Sequence, residues 1–243
     1  MKDIKDIHVT QIRIYPVGSI PYHILCIPTK LNQLKDFFHF GAQEIPFPLY
    51  DPNTPNLIMF NSGEIAVDDK NVIIDKLAFE GRKITLEVAG ESKDADFAFL
   101  QITNFLNELT KKNDLDENNC LVKSDETKCV AHLDIDYWDI FSEGLRKFLK
   151  SALPKNFREP FISIEPRKVT FEIIFKQPDD LQKEKIGLSP KSFLIEPYEA
   201  TPLEKQIFHT HSPFDSDTHF QVIKTFESFF PLTPKSTKRK KSG

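Results

Sequence analysis

The feature that most limits what this chain can fold into is a stretch that occurs twice. Asp94, Asp96, Phe99, Ile102 and Phe105 recur 121 positions later as Asp215, Asp217, Phe220, Ile223 and Phe226. In each copy acids stand where a helix would begin and large apolar residues follow three apart. That is the pattern of a capped helix with one buried stripe. The same offset carries Val9, Ile12 and Ile14 onto Val130, Leu133 and Ile135, and residues 72–77 onto residues 193–198. Separated blocks at one offset point to a tandem duplication. Only the middles are out of step, where residues 57–60 and 169–175 align after a further shift.

Read in order, each half is a β-α-β-β-β-α unit, so the expected class is α+β. In the first half His8 to Val17 forms a strand with Ile12 and Ile14 on one side and Gln11, Arg13 and Tyr15 on the other. Tyr22 to Ile27, between Pro21 and Pro28, reads as an extended edge segment. A helix over Leu31 to Phe40 follows, then a loop made irregular by Pro46, Pro48, Pro52 and Pro55. Strands are expected at 57–67, 72–79 and 84–88, and the first repeated helix runs to about Leu109.

Thr110 to Lys128 is too polar to bury, which sets the expected organisation: a first repeat at 1–112, a linker at 113–128, a second repeat at 129–232 and a disordered basic tail at 233–243. In the second half Cys129 to Tyr137 reads as a strand and Ile140 to Leu153 as a helix. Strands at 161–165, 168–175, 193–198 and 205–210 lead to the second repeated helix. Antiparallel sheets with a helix closing each half resemble the helix-grip arrangement, whose duplicated form is familiar from the TATA-binding protein. The resemblance is one of element order, and no signature residues of that family occur.

Composition narrows the class. An apolar content of 40% with 22 Phe suits Phe-filled cores, and no apolar run approaches the ~20 residues of a membrane span. The alternating charges of Met1 to Asp6, with no apolar segment after them, and three unpaired-looking cysteines (Cys26, Cys120, Cys129) suggest a cytoplasmic protein. The net charge is −4, but Lys235, Lys238, Arg239, Lys240 and Lys241 place five positive charges in the last nine residues, leaving −9 on the rest. Such an acidic body disfavours phosphate backbones. Nucleic acid is therefore expected only through the tail, at Lys238, Arg239 and Lys240, which could equally be a solubilising end.

Chemistry-bearing patterns are few. On a strand of period two, His132, Asp134 and Asp136 share one face, and His209 and His211 repeat the spacing on another strand. Imidazoles with carboxylates suit a divalent transition metal, whose bound water could hydrolyse an ester or phosphodiester. The plain alternative is the solvated face of a half-buried strand. Asp94, Asp96, Asp215 and Asp217 are explained by helix capping and the helix dipole. There is no GxSxG elbow, HExxH, Walker lysine or Gly-rich phosphate loop. The expected function is therefore non-enzymatic: a binding or adaptor protein without cofactor, presenting a composite surface to another protein. Its expected contact is the loop residues Phe47, Leu49 and Tyr50. The alternatives are a metal-dependent hydrolase or nuclease on the His/Asp residues, and a nucleic-acid-associated protein acting through its tail.

Overall fold

A computed structural model describes residues 2–44, 57–67, 70–145, 147, 168–174, 190–199 and 201–231. The loop contact at Phe47, Leu49 and Tyr50, the tail residues Lys238, Arg239 and Lys240, the strand expected at 161–165 and most of the helix expected after Ile140 lie outside them.

The described strands are β1 (Lys2–Ile14), β2 (Ala42–Glu44), β3 (Leu57–Val67), β4 (Lys70–Glu80), β5 (Lys83–Ala89), β6 (Val122–His132), β7 (Val169–Ile173), β8 (Lys191–Pro197) and β9 (Ile207–Ser212). The helices are α1 (Tyr22–Leu25), α2 (Pro28–Phe37), α3 (Ser92–Thr110) and α4 (Ser216–Phe229), with 3-10 turns at Tyr137–Ile140 and Leu203–Lys205. The class is mixed α+β. All nine strands join one antiparallel sheet in the order β2-β3-β4-β5-β1-β6-β9-β8-β7. The sheet therefore runs unbroken through the β1–β6 pair, where Val9 faces Thr127 and Ile12 faces Ser124.

Inter-strand registers on the two sides of that pair correspond. His8 faces Ala89 and Val9 faces Val88; moved on by 121, these become Cys129 facing Thr210 and Val130 facing His209, both observed pairs. Lys76 facing Glu87 becomes Pro197 facing Phe208, also observed. The helices follow a different spacing. α3 is capped by Glu91, which shares a capping box with Asp94, and α4 by Asp215, whose side chain accepts from the Thr218 amide. The caps are 124 apart because β9 runs two residues beyond the counterpart of Ala89 and its connection to the helix is one residue longer. Where the helices start, they touch reciprocally: the Ser92 amide donates to Ser216 Oγ (3.1 Å) and the Ser216 amide to Ser92 Oγ (2.8 Å).

Two apolar clusters fill the helix side of the sheet. One packs β1, β3, β4 and β5 against α1, α2 and α3 through Phe38, Phe60, Phe79, Phe99 and Ile102. The other packs β6, β8 and β9 against α4 through Ala131, Ile195, Phe208 and Ile223. Each fully buried side chain of this size stabilises the fold by roughly 1.5–3 kcal/mol. Close packing also fixes a glycine: at Gly63, beside the left-handed Ser62, a Cβ would come within 2.5 Å of the Phe40 ring and 2.9 Å of the Phe38 carbonyl.

Several expectations are corrected. Tyr22 to Ile27 is not extended: Leu25 and Cys26 donate back to the carbonyls of Pro21 and Tyr22, making the short helix α1, with Pro28 then opening α2. β1 starts at Lys2, with bulges where Asp3 and Asp6 take positive φ. β6 starts at Val122, inside the segment read as linker, and ends at His132, so the strand expected over Cys129 to Tyr137 is displaced toward the N-terminus. The two rows of β1 alternate as expected, and the structure shows which of them is buried. Val9, Gln11, Arg13 and Tyr15 are the buried row under the helices, while Ile12 and Ile14 lie half-buried on the other face.

Candidate functional site

Three places gather polar side chains. The first is the sheet face opposite the helices. One row of partners crosses six strands there: Leu194, His211, Lys128, His8, Ala89 and Ile73. Three of its basic side chains lie near acids on other strands of the sheet. His8 Nδ1 lies 2.7 Å from Asp75 Oδ2, Lys128 Nζ 4.0 Å from Glu87, and His211 Nε2 3.5 Å from Glu126. Lys191 reaches Glu126 as well, at 2.8 Å. The His211 imidazole, with Lys191 behind it, holds the Glu126 carboxyl down at about 2 against the desolvation that opposes ionisation.

The sequence-derived metal residues fall on or beside this face. β6 and β9 are neighbours, and His132, His209 and His211 share the face because each alternates with a buried residue. Each imidazole faces a different carboxylate: His132 lies 3.7 Å from Asp134 and His209 3.3 Å from Glu196. Asp134 and Asp136 lie beyond the end of β6, where the strand gives way to the 3-10 turn. Asp134 pairs with Lys2 at 2.9 Å, and Asp136 accepts from the Trp138 amide as the cap of that turn. Among the described residues, no three His, Cys, Asp or Glu side chains converge closely enough to hold an ion.

The second place lies under the N-terminal half of α3, and sequence reasoning missed it. Arg13, 96% buried as a side chain, stacks its guanidinium 4.2 Å over the Phe99 ring. Its Nε donates to Gln11 Oε1 (2.9 Å) and its Nη2 to Asp96 Oδ1 (3.1 Å). The Gln11 amide donates to both Asp96 (2.8 Å) and Asp125 (2.9 Å), and Lys123 reaches Asp96 at 2.5 Å. Asp96 is thus no cap, unlike Asp94 and Asp215; it is the counter-charge of a buried arginine. Burial works against its ionisation, but hydrogen bonds from Lys123 and Gln11, with the Lys123 and Arg13 charges, outweigh that and lower its pKa. At Asp125 burial wins and the pKa is raised. Above Arg13 opens a cavity of about 380 Å³ between α3 and the following loop, bordered by Asp96, Leu100, Asn104, Asp116 and Glu117.

The third place is sealed. His219 on α4 is fully buried, with Nδ1 2.6 Å from Ser212 Oγ, Nε2 3.0 Å from Thr210 Oγ1, and Cys129 Sγ 3.5 Å away. Desolvation lowers its pKa to about 4, helped by His211 and His209. A neutral imidazole bonded through both nitrogens is the satisfied form of a core histidine. Seclusion from solvent leaves this Ser–His pair without a path for substrate.

Compared with models of known protein families and with curated proteins, the chain matches none. No described helix is long and apolar enough to cross a membrane.

Proposed function

We propose that this chain is a non-enzymatic binding protein built as a tandem duplication of a helix-grip-like unit, and that it engages a protein partner through the sheet face opposite its described helices. The observation that carries the reading is the unbroken face across β4, β5, β1, β6, β9 and β8, whose described residues form cross-strand charge pairs rather than a single-sign field. Registers repeating at 121 support the duplication, and the shared central pair β1–β6 makes one surface of two halves. Balanced charges suit a protein surface, where complementary pairs set register and orientation. They suit a phosphate backbone poorly, because Lys128 and Lys191 already stand beside acids.

Photo-crosslinking tests this. With a photoreactive residue at Thr10, Thr85 or Lys128, protein incubated in lysate of its source cells captures a partner; with one at Lys93 or Phe37, on the helix side, it does not. Lys128→Glu lowers the yield of the first group. Capture confined to the helix-side positions, or from neither set, overturns the reading.

A further inference from the structure

We propose that the cavity over Arg13 binds a small zwitterion, a free α-amino acid with an apolar side chain. The cavity, about 380 Å³, lies at the small end of ligand-binding pockets, which span roughly 300–1,000 Å³. Its border offers the three features that such a molecule needs. Arg13 supplies a fixed positive charge: stacking on Phe99 and the bonds to Gln11 and Asp96 lock the guanidinium plane, so a ligand carboxylate meets a donor already oriented. Its remaining nitrogen, Nη1, makes a 3.8 Å charge contact with Glu117. That is longer than a hydrogen bond, and the Glu117 side chain is 75% exposed, so a ligand carboxylate displaces it at small cost.

Carboxylates supply the second feature. Asp116 and Glu117 stand on the loop side of the same cavity, and Asp96 lies opposite on α3 with Oδ1 taken up by Arg13, Gln11 and Lys123. A ligand carrying only negative charge would meet three acids here, and one carrying only positive charge would meet Arg13. A zwitterion satisfies both ends. The third feature is apolar: Phe97, Leu100 and Leu115 line the cavity, and Leu100 is 51% exposed. A hydrophobic ligand side chain gives that surface something to bury against.

The test is calorimetric titration of the full chain with L-leucine, L-isoleucine, L-valine, L-methionine and L-phenylalanine. The best of these is then compared with its amide and with its N-acetyl derivative. Saturable one-to-one binding is expected for at least one amino acid, weakened by at least about tenfold when either end is blocked. Leu100→Asp abolishes it while leaving the melting temperature unchanged, because that side chain is half exposed. Glu117→Gln weakens it without loss of fold. Absence of saturable binding overturns the proposal. So does equal affinity for a blocked form, which would show that only one charge is read, and so does binding indifferent to Leu100→Asp, which would put the ligand elsewhere.

Discussion

At the scale of single residues, the instructive side chain is Arg13. A buried charge persists only when paired and hydrogen-bonded, and Asp96 is the partner within hydrogen-bond reach of the guanidinium, Glu117 standing at 3.8 Å. Removing that partner leaves the cation stranded under α3. Asp96→Ala is therefore expected to destabilise the fold by about 2–4 kcal/mol, less than a fully enclosed pair because Asp96 is itself 42% exposed. Urea denaturation measures this; a change below about 0.5 kcal/mol would mean that Glu117 swings in as substitute. None of this was legible from residues 9–15. Alternation reveals that a strand has two faces, but not which one receives a helix. The row of Gln11 and Arg13 is the buried one because it meets Phe99 and Asp96, more than 80 residues away. The spacing of two at His132, Asp134 and Asp136 suggested one strand face, but the strand ends at His132 and Asp136 caps the 3-10 turn that follows.

At the scale of elements, the two long helices α3 and α4 were visible because their stripes and acids are local. Their relative alignment was not, because the caps differ in kind: a Glu91–Asp94 box in α3 and a single Asp215 in α4. α4 is also seated differently. Where α3 presents Ala95 and Ala98, α4 lays His219 on Cys129, Thr210 and Ser212. Its docking is thereby coupled to pH. His219 has a folded pKa of about 4 against an ordinary 6.5, so between those values the unfolded chain binds one more proton than the folded one. The helix's contribution is complete above pH 6.5 and declines as pH falls toward 4, by up to roughly 3 kcal/mol in all. Glu126, held at about 2, adds its loss only below its usual 4.5, so the two windows separate. Stability measured from pH 7 to 4.5 should fall for the native chain and stay nearly flat for His219→Gln. In NMR spectra the His219 imidazole should remain neutral at pH 5, and a protonated ring there would refute the account.

For the whole molecule, the decisive fact is that two cores hang from one sheet. The apolar clusters under α3 and under α4 are separate in composition, while β1 and β6 give the sheet its continuity. The α+β class could be read from the sequence, since strand periodicity and caps are local. The single sheet could not, because it depends on residues 2–14 meeting residues 122–132 across a segment whose polarity resembles a linker. Cutting the chain in the loop between Lys112 and Cys120 should yield two fragments that reassemble, since one keeps α3 and the other α4, each with its own apolar cluster and one central strand. Mixing the separately expressed fragments should restore the circular dichroism and cooperative melting of the intact chain. Fragments that stay apart at micromolar concentration would show that the loop itself holds the halves in register.

The irregular start of β1 has a consequence for synthesis. Strand β1 can pair with β5 as soon as Ala89 is made, but its other edge has no partner until the ribosome has delivered β6. At ~5–20 residues per second the stretch from Ala89 to His132 takes about 2–9 s. During that interval a flat, apolar edge would recruit strands from neighbouring nascent chains. Lys2, Asp3, Lys5 and Asp6 put charge along it, and the positive φ of both aspartates kinks it away from the straight geometry that such recruitment requires. The charged, twice-bulged segment thus acts as a guard for the half-made protein, and keeps both bulges when it pairs with β6.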